Sequence, residues 1–323
     1  MKKFVLLSAL IAAVFSLTAQ TTYKDFKYDK LVKAKLGPVK KDIRTEKVFI
    51  SDFVLKQTTA LSASAQGFGA VGDEGGSKTS LALALYGVTE PNYQKVVDQL
   101  YSEFVAQLKQ AGFQIINDEA GYQAYKENDF KEKIIAEKIG GSAKVLTKKT
   151  LAIAEFRPSD KLIVMRDQQD LNTMANFSAQ MAEQKIGRKM AKSLDATILK
   201  VEFDIGIAAI KLKSSVLSDF SAVKAWPMLK INGRATLYGG KRGAIGSAYT
   251  KKPVEEISYW VQNLNRKGRI EAWNKATDDS YLGWSRKAAT SPIVANEEEF
   301  FTELKGAISN INKVYITEIK DKL

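Results

Sequence analysis

Two stretches decide the fold: LKVEFDIGI at residues 199–207 and LKINGRATL at residues 229–237. In the first, Val201, Phe203, Ile205 and Ile207 alternate with Lys200, Glu202, Asp204 and Gly206. In the second, Leu229, Ile231, Ala235 and Leu237 alternate with Lys230, Asn232, Arg234 and Thr236. Side chains on a strand point to opposite faces in turn, so this pattern predicts two antiparallel strands, each with one buried face and one wet face. The polar positions carry Lys, Glu and Asp, which fits an ordinary one-sided sheet better than hairpins crossing a membrane. A glycine-rich turn at residues 239–243 leads to a third strand over 244–250.

Helical spacing appears on either side of these strands. Over residues 90–111, Val96, Val97, Leu100, Phe104, Val105 and Leu108 recur at helical period, with Thr89 as cap, Pro91 in the first turn and Gly112 as terminator. A short apolar strand at 113–116 and a second helix from Asp118, carrying Tyr122 and Tyr125, follow. A short strand at 162–165 precedes a long helix over 171–194, and an amphipathic helix over 297–320 closes the chain. The segment KVFISDFVLK, residues 47–56, is a first strand. Residues 58–80 hold few bulky side chains and read as a long loop. The order predicts a mixed α/β (α+β) layer fold: a central mixed sheet with antiparallel strands, packed by long helices. Residues 47–323 form one domain, preceded by an N-terminal arm at 20–46 and interrupted by a charged surface excursion at 131–149.

The first 19 residues form a cleavable signal peptide. Lys2 and Lys3 precede an apolar run over 4–17 that is too short to span a bilayer, and a cut after Ala19 leaves residues 20–323. No later stretch predicts a transmembrane helix, and no cysteine is present to carry a lipid anchor. A secreted chain without cysteine points to the bacterial envelope, periplasmic or outside the cell. A core of this size, burying roughly three quarters of its unfolded surface, needs no disulfides.

Chemistry is bounded mainly by exclusion. The chain has no histidine and no cysteine. That removes Ser-His-Asp triads, thiol nucleophiles and nearly all zinc sites. GDEGGSKT at residues 72–79 approaches a phosphate-binding loop but has Ser77 where glycine is required before the lysine. Ser221 and Lys224 match a Ser-x-x-Lys pattern without its partner motifs. No metal or cofactor is expected. A pair of carboxylates remains available, as in glycoside cleavage. The formal net charge of +13 fits a lysine-rich soluble surface, or a partner such as anionic lipid or acidic polysaccharide. Nucleic acid is not expected outside the cytoplasm.

One segment combines aromatic and basic side chains. Trp260, Trp273 and Trp284 interleave with Arg266, Lys267 and Arg269, a composition suited to gripping sugars or lipid headgroups, although packing onto the sheet is the plainer role for the tryptophans. Lys241 and Arg242, in the glycine-rich turn, form a candidate anion nest.

The strand KVFISDFVLK, the small-residue loop, the helix ending in QLKQAGFQIIND (107–118) and the helix after it resemble the periplasmic domain of curli-secretion-channel and TolB N-terminal proteins. So do Leu194-Asp195-Ala196 opening a strand, a partner strand around 229–238 and a C-terminal helix. The likeness spans roughly residues 45–125 and 170–320 and lies in fold-level pattern, so no functional residue is carried over. It implies an envelope protein that binds or assembles with partners, itself included, and is not an enzyme. Two features depart from the family: the missing lipidation cysteine and the excursion at 131–149. The expected function is therefore binding or assembly in the envelope. The alternatives are a secreted carbohydrate-active enzyme and a peripheral binder of anionic lipid or polysaccharide.

Overall fold

A computed structural model describes residues 22–37, 39, 46–66, 78–127, 144–148, 151–162, 173–214, 221–239, 245–256, 260–265, 267–268, 271 and 291–321. Its elements in chain order begin with a 3-10 turn (Tyr23–Asp25), α1 (Tyr28–Leu31), β1 (Val32–Lys35), β2 (Lys47–Gln66), β3 (Lys78–Tyr86) and α2 (Glu90–Gln110). They continue through β4 (Gln114–Ile116), α3 (Asp118–Glu127), β5 (Lys144–Lys148), β6 (Leu151–Phe156), α4 (Thr173–Ser193), β7 (Thr197–Ser214) and β8 (Ser221–Tyr238). The last are β9 (Ile245–Thr250), β10 (Val254–Glu256), β11 (Ser291–Val294) and α5 (Glu297–Lys320).

All eleven strands join one sheet with the main order β1-β9-β8-β7-β2-β3-β11. The mixed α/β architecture expected from the alternating strands is what forms. β7, β8, β9 and β1 are antiparallel in turn, whereas β2 and β7 run parallel from Val48 opposite Thr197 to Gln57 opposite Ile205. The twenty-residue β2 organises the sheet. One of its edges takes β4 and then β6; the other takes β7 and then β3.

The period-2 pattern sets both faces. Leu199, Val201, Phe203, Ile205, Leu229, Ile231 and Leu237 join the main core with Val97, Leu100 and Phe104 of α2 and Phe300, Leu304, Ile308 and Ile311 of α5. α2 and α5 pack side by side on this face. Gly112, at a φ of +98°, ends α2: its N–H reaches the Lys109 carbonyl and the Phe113 N–H reaches Leu108. Thr89 does not cap α2 through its side chain; its hydroxyl donates to Glu297 Oε1 at 2.9 Å and links the starts of the two helices.

The opposite face is not simply wet. Phe49, Ile198 and Tyr238 bury against Ala124 and Tyr125 of α3 and Ile186, Met190 and Ala191 of α4. The expected one-sided sheet is thus covered on both sides at one end. α4 approaches β8 closely because position 187 is glycine, where an added Cβ would meet the Tyr238 ring at 2.7 Å.

The long loop expected over 58–80 is corrected. Residues 58–66 and 78–80 are strand, not loop; 67–77 lie outside the described residues. Small side chains are what this part of the sheet needs, since Ala60, Ala84 and Ala152 pack on one face with Tyr86 and Val294. Within the excursion, Lys144–Lys148 pairs with β6, while 131–143 and 149 lie outside the described residues. Within the N-terminal arm, β1 pairs with β9. Of the short strand expected at 162–165, only Leu162 is described, as a single bridge residue.

Candidate functional site

Beyond α4, the polar face of the sheet carries a charge mosaic built directly by register. Asp52 stands opposite Lys200, and Lys200 opposite Thr236. Two residues along, Glu202 stands opposite Arg234, and Arg234 opposite Tyr249. In the next row Lys56, Asp204 and Asn232 sit side by side. A register shift between Ile50 and Asp52 keeps Phe53 and Leu55 in the core while Asp52 and Lys56 face the mosaic.

These charges are organised rather than scattered. Lys56 Nζ donates to Glu202 Oε1 at 2.9 Å, and Lys200 Nζ lies 3.3 Å from the same oxygen and 2.9 Å from Glu183 Oε1 on α4. The Tyr238 hydroxyl donates to Glu183 at 3.0 Å. Burial pushes the Glu202 carboxyl up, but Lys200 and Lys56 outweigh it and hold it down at about 2. Burial alone would lower the Lys200 ammonium; Glu202 and Glu183 raise it. Asp204 is raised, chiefly by burial and against the pull of Lys56.

Lys56, Glu202, Asp204, Asn232, Gly233, Arg234, Tyr249 and Thr250 line an open cavity of about 410 Å³. None of these side chains is aliphatic. Next to it lies a drier cluster. Arg157 Nε donates to Asp52 Oδ1 at 3.1 Å and Nη1 to Glu155 Oε2 at 3.1 Å, all three being buried. Lys161, fully buried, donates to Asp118 Oδ1 at 2.5 Å and to the Ile50 carbonyl. Burial lowers its ammonium despite Asp118. Together these bonds fasten the segment after β6 to β2 and α3.

The same end of the sheet bears a second feature. Beyond Ile205 and Leu229, β7 and β8 pair only with each other among the described residues. They form a ribbon from Ala208 opposite Pro227 to Ser214 opposite Ser221. Pro227 lacks an N–H, which accounts for the register break at its base. Ala208, Ile210, Ala225 and Pro227 share one face; Ala209, Lys211, Lys224 and Trp226 share the other. Trp226 is 41% exposed, and Lys211 stands directly opposite Lys224. β2 and β3 form a second ribbon, from Ser62 opposite Ala82 to Gln66 opposite Lys78. Because β2 and β7 are parallel, both ribbons leave the same end of the sheet.

Of the candidate partner-surface residues singled out from sequence, Trp260 and Lys267 are described. Trp260 is fully buried, edge-on to Phe300, and its carbonyl accepts from Asn296 at 2.6 Å; it packs the core and offers no sugar-binding face. Lys267 is exposed and lies 3.9 Å from Glu271 one turn away. Arg266, Arg269, Trp273, Trp284, Lys241 and Arg242 lie outside the described residues, as do 72–77 of the near phosphate loop. Ser221 and Lys224, three apart on a strand, occupy positions of opposite parity, so the strand itself does not place them together. Sequence reasoning passed over the mosaic because its residues are the ordinary polar positions of alternating strands. The signal was there in their density: Lys200, Glu202 and Asp204 follow one another on a single face.

Among the described residues no helix is long and apolar enough to cross a membrane, and no group of three or more acidic side chains is placed to hold a metal. Comparison with protein-family models, with curated proteins and with solved structures finds no match for this chain.

Proposed function

We propose that this protein is a non-enzymatic component of the bacterial cell envelope that acts by binding and assembly, with the two β-ribbons as its assembly elements. The leader supports the compartment, and the sequence resemblance to curli-channel and TolB N-terminal domains supports the mode of action. The observation that carries the reading is that two ribbons leave one end of the sheet, and that the β7–β8 ribbon beyond Ile205 and Leu229 has outer edges unpaired among the described residues. A strand edge presents unpaired N–H and C=O groups and accepts another strand by main-chain hydrogen bonding. Light scattering after size-exclusion of residues 20–323, over a concentration series and with envelope extract, tests this. Discrete oligomers or a retained partner are expected. A monomer at every concentration that retains nothing overturns it.

A second reading, a glycoside-cleaving enzyme with two carboxylates, is favoured by one observation. Glu202 and Asp204 alternate on β7, line one cavity, and are pushed apart in acidity, Glu202 held down and Asp204 raised. Turnover of chromogenic glycosides that Asp204→Asn abolishes is its signature. No turnover, or turnover insensitive to that change, retires it.

A further inference from the structure

The cavity holds two charged side chains, Arg234 and Asp204, that make no direct hydrogen bond or close ion pair with its walls. Arg234 lies between Glu202 on β7 and Tyr249 on β9, and Asp204 lies between Lys56 on β2 and Asn232 on β8. Glu202 is the carboxylate directly opposite Arg234, yet it is taken by Lys56 at 2.9 Å and Lys200 at 3.3 Å. Among the described residues the Arg234 side chain forms no hydrogen bond or close ion pair, and neither does that of Asp204, which feels Lys56 and Arg234 only through space. Lysines occupy the carboxylate that would otherwise neutralise the guanidinium. Arg234 is left exposed on the cavity wall, where a solute can reach it.

A guanidinium free on its fork side is suited to receive a planar carboxylate through two parallel N–H bonds. Asp204 sits on the diagonal from Arg234, about 7–8 Å away between backbones by sheet geometry. It is an acceptor, and the exposed Asn232 amide beside it supplies a further acceptor and donor. The matching molecule therefore carries a carboxylate at one end and hydroxyl or ammonium donors within a few bonds of it. The volume of about 410 Å³ lies at the low end of small-ligand pockets and suits a molecule of monosaccharide or amino-acid size. The lack of any aliphatic side chain in the lining disfavours an apolar ligand.

We propose that this cavity is a binding site for a small hydrophilic carboxylate with adjacent donor groups, Arg234 receiving the carboxylate and Asp204 with Asn232 receiving the donors. Two sources share this chemistry: an acidic sugar, whose donors are hydroxyls, and an amino acid or peptide end, whose donor is an ammonium. The ammonium case relies on Asp204 as a charge; the sugar case relies on it only as a hydrogen-bond acceptor.

Isothermal titration of residues 20–323 with glucuronate, with alanine, and with glucose and acetate as half-ligand controls tests the proposal. Glucuronate or alanine is expected to bind at millimolar concentration or below, with each control at least about tenfold weaker, a loss of about 1.4 kcal/mol. Arg234→Gln should weaken the bound probe by tenfold or more, while Lys109→Gln, exposed at the end of α2, leaves it unchanged. Asp204→Asn should weaken alanine severely and glucuronate mildly, which identifies the source. If neither probe binds, or if Arg234→Gln binds as tightly as the parent, the proposal is wrong. It does not depend on the ribbons: oligomers that form without binding either probe retire this site and leave the assembly reading standing.

Discussion

Trp260 stands edge-on to Phe300, with ring centroids 5.2 Å apart and planes at 78°. Phe300 in turn meets Phe301 edge-on at 5.6 Å, and Phe301 meets Tyr93 of α2 in the same way. The indole thus seats the start of α5 against α2 and secures the chain that leads into it. Trp260→Ala should cost roughly 3–5 kcal/mol, the range for deleting a large aromatic from a packed core. Trp260→Phe should cost less, because the indole Nε1 has no hydrogen-bond partner among the described residues to lose. Urea unfolding of both variants checks this; equal losses would contradict it.

Arg157 neutralises two buried carboxylates at once. Replacing it with Met leaves Asp52 and Glu155 buried beside each other without that cation, and a loss of about 3–5 kcal/mol is expected. The triple variant Arg157→Met, Asp52→Asn, Glu155→Gln should recover part of the loss, since no unpaired charge remains. A triple variant less stable than Arg157→Met alone would show that packing, not charge, dominates there.

Gly187→Ala would normally favour a helix by up to about 1 kcal/mol. Here the new Cβ would press on the Tyr238 ring, so a net loss of about 1–3 kcal/mol is expected as α4 lifts from β8. The lift should also loosen Glu183 from Tyr238 and Lys200. A thermal melt shows the sign directly, and a rise in midpoint would overturn the account.

Acid stability should carry the mark of Glu202. Its folded carboxyl titrates at about 2 against an ordinary 4.5, so the folded state binds this proton more weakly than the unfolded chain. Its stabilisation is complete above about pH 4.5, declines as pH falls, and is gone once the folded carboxyl protonates near pH 2. Urea midpoints of the parent should fall through that window, and those of Glu202→Gln should fall less steeply from a lower neutral value. Parallel curves would exclude the ion pairs as the source.

Much of the fold was legible because its pattern is local. The alternation over 199–207 and 229–237 marked two adjacent antiparallel strands, and the apolar spacing over 90–111 and 297–320 marked the two helices of the main core. The strands at 58–66 and 78–80 were missed for a physical reason. A run of Ala, Ser, Thr and Leu has little bulk to bury, and its strand conformation depends on β6 packing Ala152 against Ala60 and Ala84. Trp260 illustrates the converse: the composition around it suits a binding surface or a core equally well, and its contact with Phe300, forty residues away, settles the matter.

Taken alone, the sequence determined the main helices, the alternating strands with the face that enters the main core, and the exclusion of histidine and cysteine chemistry, because period and composition are properties of neighbouring residues. Only the tertiary structure decided where the polar faces go. Lys56, Glu202 and Arg234 belong to three strands, and parallel pairing of β2 with β7 beside antiparallel pairing of β7 with β8 sets them in adjoining positions. Which cation takes which carboxylate, and which guanidinium is left over, follows from a register that no local pattern encodes.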